Sequence, residues 1–258
     1  NTFDNCTTAS IVVNPLNIDA SIKNNAVVSP SSSYPIYMAP RVSQDIVTAP
    51  NDSSNNAIFG ATSYSIEFKG KLNYPPQPSL VKTSEIILVK KASSDQSGFA
   101  LTVKGGNIVQ IRGTSTGLSI LKTISSTTVP IGSTFHVVAT WTTGQAWKIY
   151  INGSEVSYLQ VSSTISAHAN DTAKVLCIGN NSDSLVTGMS GTVNRVRIYR
   201  NVNLSASNVA TLFADGSVAG VTGEYLFTDG SGSTVTDSSG NGNNGTITGA
   251  TWNGQALD

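Results

Sequence analysis

The sequence predicts an all-β protein: an antiparallel β-sandwich with one short helix and an extended N-terminal arm. Three observations carry this reading. The 258-residue chain is only 12% charged and is rich in Ser, Thr and Asn alongside 23 glycines, residues that disfavour helix interiors and favour strands and turns. From about residue 59 onward, short runs of Val, Ile, Phe, Tyr and Thr recur between Gly, Ser and Asn turns, the spacing of a sandwich. Helix punctuation occurs in a single stretch.

Residues 1–58 stand apart. Short apolar triplets are scattered among Pro15, Pro30, Pro35, Pro40 and Pro50, and proline at that density prevents long strands and any helix. The triplets are too apolar for a pure linker. This stretch is expected to be an extended arm that clings to a partner surface or to the main domain.

The strands of the main domain, residues 59–258, then follow in order. "SYSIEFKGKL" alternates through Tyr64, Ile66 and Phe68 until Gly70 interrupts the period before Leu72. "EIILVKKAS", "GFALTVKGG", "NIVQIRG" and "GLSILKTIS" come next, followed by "STFHVVATWTT", "AWKIYINGSEV", "AKVLCIGN" and "GTVNRVRIYR". In "NLSASNVATLFADG", Ser205 is a good N-cap and Leu204 and Val209 suit a hydrophobic staple. Gly216 is placed to close the C-terminus, and Val209, Leu212 and Phe213 form a short apolar stripe. Two to three turns packed on the sandwich edge are expected.

"STFHVVATWTTGQAWKIYINGSEV" resembles the central hairpin of laminin-G-like domains of the concanavalin A-like lectin/glucanase superfamily. "MSGTVNRVRIYRNVNLSASNVATLFADG" resembles that family's closing strand and short helix, with Asn208 in place of the usual acidic residue. With "SYSIEFKGKL" the resemblance covers about residues 59–216 and implies a jelly roll. "GEYLFTDGSGSTVTDSSGNGNNGTITGATWNGQALD" is similar to the segment that ordinarily begins such a domain, yet here it follows the helix. Either residues 223–258 complete this sandwich in permuted order, or they open a second repeat. Completion is favoured, because Tyr225, Phe227 and Trp252 would otherwise expose their apolar surface.

Several function classes are excluded or disfavoured. Fifteen basic residues balance fifteen acidic ones, which argues against nucleic acid and against adsorption to an anionic membrane. No apolar run approaches the ~20 residues of a spanning helix. Glycan-cleaving members of the superfamily use closely spaced carboxylates on one strand. The glutamates here are Glu67, Glu85, Glu155 and Glu224, and none has an acidic neighbour two or four positions away. No catalytic residues are assigned, and His136 reads as a structural histidine. Cys6 and Cys177 could pair, although Cys177 in its apolar run reads more simply as a buried thiol.

Two candidate sites remain. Strand alternation places Trp147, Ile149 and Ile151 toward the core and Lys148 and Tyr150 away from it. In the closing strand, Val196 and Ile198 point inward, with Arg195, Arg197 and Tyr199 outward. If the two strands share a sheet, these five residues form a polar-aromatic patch suited to carbohydrate; the alternative is a solvated or helix-covered face. Asp237, Asn241 and Asn243 offer hard oxygen ligands at alternating spacing, so a structural calcium is weighed against a plain set of tight turns; no other cofactor is expected.

The expected function is non-catalytic attachment or assembly: a decoration or fibre component of a virus particle, such as a bacteriophage, that grips other protein subunits through its arm. The alternative is a glycan-binding adhesin module of a secreted or cell-surface protein. A glycoside hydrolase or lyase is the third reading, disfavoured by the missing carboxylate pair. The setting would be a virion surface or the extracellular space.

Overall fold

A computed structural model describes residues 36–38, 45–73, 84–90, 97–117, 119–182 and 188–252. The architecture is a jelly-roll β-sandwich of two antiparallel sheets with one short helix among the described residues. The eight-stranded sheet runs β10 (Ser154–Glu155), β9 (Lys148–Ile151), β8 (Thr134–Thr142), β3 (Ser63–Leu72), β13 (Gly191–Arg200), β1 (Ile36–Met38) and β17 (Thr251–Trp252). β14 (Gly223–Tyr225) also pairs with β13. The nine-stranded sheet runs β11 (Tyr158–Gln160), β7 (Ile120–Thr128), β6 (Ile108–Thr114), β5 (Phe99–Lys104), β4 (Ser84–Lys90), β12 (Leu176–Ile178), β2 (Ile46–Ala49), β16 (Gly245–Thr248) and β15 (Thr234–Val235).

The core lies between the sheets, and the period-two alternation of each strand decides what enters it. β3 contributes Tyr64, Ile66, Phe68 and Leu72, β8 contributes Phe135, Val137, Ala139 and Trp141, and β9 contributes Ile149 and Ile151. In β13, Val193, Val196 and Ile198 all reach the core although they do not keep one parity; a register shift between Val193 and Arg195 supplies the extra residue. Gly70 is required by close approach, since a Cβ there would lie 2.4 Å from the Thr192 carbonyl oxygen and 2.5 Å from the Phe68 ring.

The boundary at residue 58 needs correction. β1 and β2 lie within the stretch expected as an arm, yet they are hydrogen-bonded into the two sheets. Ile36, Met38, Val47, Ala49 and Ile58 are buried in the common core. The physical reason is that three or four residues suffice to bridge existing strands, even where flanking prolines forbid longer ones. The remainder of the expected arm, residues 1–35 and 39–44, lies outside the described residues, Cys6 included. Residues 223–252 supply β14 to β17, and they pair with β13, β2 and β1. Tyr225, Phe227, Val235 and Trp252 are buried in the same core.

Helix α1 (Ala206–Phe213) starts at Ser205 in a capping box. The Ser205 hydroxyl accepts from the Asn208 amide, and the Asn208 side chain accepts from the Ser205 amide. Asn208 therefore does the work of the usual acidic residue at that position. The chain leaves the helix through Asp215, which takes the left-handed conformation (φ 63°), with the Gly216 amide donating to the Thr211 carbonyl. Gly216 itself is not the left-handed residue. α1 lies on the outer face of the eight-stranded sheet, not at the sandwich edge. Val209 and Leu212 pack there on Val138, Tyr150, Tyr199 and Leu204, each such burial stabilising by about 1.5–3 kcal/mol. Phe213, expected in the same stripe, is 43% exposed.

Candidate functional site

Beside the N-terminus of α1, the outer face of the eight-stranded sheet opens into a cleft of about 390 Å³. One wall is the strand surface of Thr140, Thr142, Lys148 and Tyr150, and the other is the turn Asn203–Ala206 that leads into α1. Glu155 and Gln145 complete the polar lining.

The hairpin of β9 and β10 fixes the chemistry of this cleft. Asn152 and Gly153 form its two-residue turn, with φ of 49° and 85°, the left-handed pair that a tight hairpin needs. That turn sets Glu155 opposite Tyr150. Lys148 Nζ donates to Glu155 Oε2 at 3.1 Å, and the Tyr158 hydroxyl donates to Glu155 Oε1 at 3.0 Å. The hydrogen bond and charge of Glu155 push the Lys148 ammonium above its ordinary pKa. Burial, followed by the charge of Glu155, pushes the Tyr150 phenol up. The cleft therefore presents a fixed cation, one carboxylate, hydroxyls and an amide around a largely buried tyrosine. Sequence reasoning missed Glu155, although the Asn-Gly dipeptide carried the signal that places it across from Tyr150.

The structure splits the expected five-residue patch. Lys148 and Tyr150 line the cleft, whereas Arg195, Arg197 and Tyr199 are buried beneath α1 and the chain that follows it. The alternation itself is as expected: Trp147, Ile149, Ile151, Val196 and Ile198 face the core and the five candidates face away. Arg197 shares one cross-strand row with Glu67, Val138 and Tyr150, so β3 and β8 separate it from Tyr150 by about 14 Å at ordinary strand spacing. The apolar face of α1 covers the ground between.

Beneath the helix the arginines build an ion cluster around Glu67, which is fully buried. Glu67 Oε1 accepts from His136 Nε2 at 3.0 Å and from Arg195 Nε at 2.8 Å, and Arg197 Nη1 lies 3.3 Å from Oε2. Burial alone would raise the Glu67 pKa; the His136 hydrogen bond and the two arginine charges overcome it and hold the carboxyl below its usual range. Arg195 continues to the Leu212 carbonyl and to Asp215, and Arg197 to the Gly216 carbonyl and Glu224. These contacts fasten the C-terminal end of α1 to the sheet. His136 is thus a positioned structural partner.

Asp237, Asn241 and Asn243 lie in one loop, and each side chain is engaged by another part of the protein. Asp237 Oδ1 accepts from the amides of Glu224 and Ser239, and Oδ2 from that of Asn243. Asn241 donates its amide to the Thr222 carbonyl, and Asn243 donates to Asp52. The carboxylate faces amide donors, the arrangement of a loop staple. Among the described residues, no group of three or more His, Cys, Asp or Glu is placed to hold a metal ion. His168 sits against Trp141 and Trp147, with ring centroids 4.4 and 5.9 Å away, and burial holds its pKa down to about 4. Cys177 is buried. No described helix is long and apolar enough to cross a membrane.

Comparison with known proteins places this geometry in a family. No curated protein matches the chain. Among solved structures, a protein of Bacteroides ovatus inferred to bind carbohydrate is similar over 88% of this chain, at 14% identity and a TM-score of 0.63. The chain spans 60% of that protein's length. The heptameric SAP-like pentraxin of Limulus polyphemus is similar over 72% of this chain and 84% of its own, at 12% identity and a TM-score of 0.50. The CBM40 of the Ruminococcus gnavus IT-sialidase, bound to α2,3-sialyllactose, matches over 70% of this chain and 96% of its own, at 13% identity and a TM-score of 0.50. At these identities the likeness is one of fold. The model of one family matches residues 43–210, well over half of the sequence, and the chain belongs to the concanavalin A-like lectin/glucanase superfamily.

Proposed function

We propose that this chain is a non-catalytic, glycan-binding module that works outside the cell or at a cell surface. The observation that carries the reading is the cleft beside α1, where Lys148, Glu155, Gln145, Thr140 and Thr142 converge around Tyr150. Its volume is in the range of small-ligand sites. Its lining suits a saccharide, whose hydroxyls both donate and accept. The Lys148–Glu155 pair offers a donor and an acceptor held in fixed positions, and Tyr150 contributes an apolar edge. The fold neighbours support the same class of ligand, one being inferred to bind carbohydrate and another being bound to sialyllactose.

Cleavage of the bound sugar is disfavoured. Glycosidic hydrolysis uses two carboxylates flanking the scissile bond, and Glu155 is the single carboxylate among the cleft's described lining residues. Glu67 and Glu224 are committed to the arginines under α1. The particle-attachment reading rested on the arm, of which residues 1–35 lie outside the described residues; the fold neighbours favour the saccharide reading over it.

The test is a glycan array probed with the whole chain and with Tyr150→Phe and Lys148→Ala, which remove cleft groups with little disturbance of packing. Saturable signal that falls in both variants supports the cleft. A silent array, or signal indifferent to both substitutions, overturns it.

A further inference from the structure

We infer that the cleft beside α1 selects uncharged saccharides over acidic ones, with the Lys148–Glu155 pair reading two adjacent ring hydroxyls and Glu155 turning anionic sugars away. This rests on the glycan-binding reading above and narrows it to one class of sugar.

Charge in the cleft is confined to one pair. Of the described lining residues, Lys148 and Glu155 alone carry a charge, and the rest are neutral. The mouth is open: Gln145, Asn203 and Ser205 are exposed, and the side chains of Lys148 and Glu155 keep 55% and 37% of their surface in solvent. A ligand therefore reaches the pair directly. Glu155 is also held from two sides. Lys148 Nζ meets Oε2 from the neighbouring strand, while the Tyr158 hydroxyl meets Oε1. Tyr158 belongs to β11 of the other sheet, and its hydroxyl accepts in turn from the Ile149 amide at 3.1 Å. Burial pushes the Tyr158 phenol up, so it stays a neutral donor to Glu155 at every ordinary pH. The carboxylate is thus fixed at the cleft wall, with much less freedom than an exposed glutamate usually has.

The pair can do more for a hydroxyl than for an anion. An ammonium has three N–H donors and an ionised carboxylate about four acceptor sites, so the Lys148 and Tyr158 bonds leave capacity on both groups. One sugar hydroxyl accepts from Lys148 while its neighbour on the ring donates to Glu155. Both bonds are charge-assisted, and the ion pair stays intact. A carboxylate or sulfate achieves only the first half. It accepts from Lys148, has no proton for Glu155, and sets its own charge beside that of Glu155. Juxtaposed like charges are how a binding surface rejects a wrong partner. No second cation among the described lining residues offsets the repulsion. The nearest arginines of the sheet, Arg195 and Arg197, are engaged beneath α1 by Glu67, Asp215 and Glu224.

The experiment uses an array on which neutral glycans stand beside their sialylated, uronate and sulfated counterparts, probed with the whole chain and with Glu155→Gln. The strongest neutral binder and its charged counterpart are then titrated calorimetrically. The parent chain should bind the neutral glycan at least roughly tenfold more tightly than the charged one, the scale of one charge-assisted contact. Glu155→Gln keeps the shape of the side chain and removes its charge. It should weaken the neutral glycan and strengthen the charged one, so that the preference disappears or reverses. Charged glycans bound by the parent as tightly as neutral ones, with that binding lost in Lys148→Ala, overturn the inference and leave the glycan-binding cleft standing. A preference unchanged in Glu155→Gln also overturns it. Silence of the whole array overturns the inference and the glycan-binding reading together.

Discussion

Arg195 holds the buried carboxylate of Glu67 with Nε at 2.8 Å and, with its other end, the last-turn carbonyl of Leu212 at 2.8 Å. One guanidinium thus joins the middle of the eight-stranded sheet to the end of α1. The N-terminal end of the same helix forms a wall of the cleft, so its seating on the sheet also fixes the width of the candidate site.

Glu67→Ala would leave Arg195 and Arg197 buried without their shared counter-charge. A destabilisation of about 3–5 kcal/mol is expected, because breaking a buried ion pair strands the partner. Urea denaturation of the variant against the parent measures it. A loss under about 1 kcal/mol, the value of an exposed pair, would show the cluster to be hydrated and dispensable.

Stability should fall in acid in two separable stages. His168 is held neutral with a pKa near 4, below the ~6.5 of an unfolded histidine. The unfolded chain therefore takes up a proton that the folded chain refuses, and stability present above about pH 6.5 is lost as pH falls toward 4. The shift corresponds to roughly 3 kcal/mol. Glu67, whose pKa is depressed, contributes stability present above the unfolded carboxyl range and lost only as pH drops through its lower folded value. Thermal midpoints measured from pH 8 to 3 should show both stages, and His168→Phe should flatten the upper one while leaving the lower in place.

Asp237→Ala removes the acceptor for three loop amides. The expected cost is about 1–3 kcal/mol, that of buried donors left unsatisfied. Excess calcium should leave the melting temperature of the parent chain unchanged, because the carboxylate is already occupied by backbone. A calcium-dependent rise, which mass action demands of any ion bound only by the native state, would point instead to a metal in this loop.

Ending the chain at Val221 should abolish soluble folding. It strips β14 and β17 from one sheet and β15 and β16 from the other, together with Tyr225, Phe227 and Trp252 from the core. Expression of the truncated chain with circular dichroism decides the point; a soluble, cooperatively melting product would show that residues 223–258 serve something other than this sandwich.

Much of the fold was legible because period-two alternation is a local signal. It assigned Trp147, Ile149 and Ile151 to one face and Lys148 and Tyr150 to the other, as found. Alternation says which way a side chain leaves the sheet, but nothing of what lies above it. Arg195, Arg197 and Tyr199 were therefore correctly turned outward, while an open patch and a helix-covered face could not be told apart, since the helix that covers them follows in sequence and its docking is a tertiary event. β1 and β2 escaped for a different reason. Runs such as Ile36–Met38 and Ile46–Ala49 are too short to show a period, and their strand character comes from partners on β13, β17, β12 and β16.

The pairing of Ile36 with Trp252 has a kinetic consequence. During synthesis the early strands β1 and β2 gain one partner each from β13 and β12 and the other only when β16 and β17 emerge. Closure of such distant segments makes folding slow and lengthens the interval in which the nascent chain can aggregate. β16 and β17 are then the latch of this sandwich, and the yield of folded protein should depend on how quickly the ribosome delivers them.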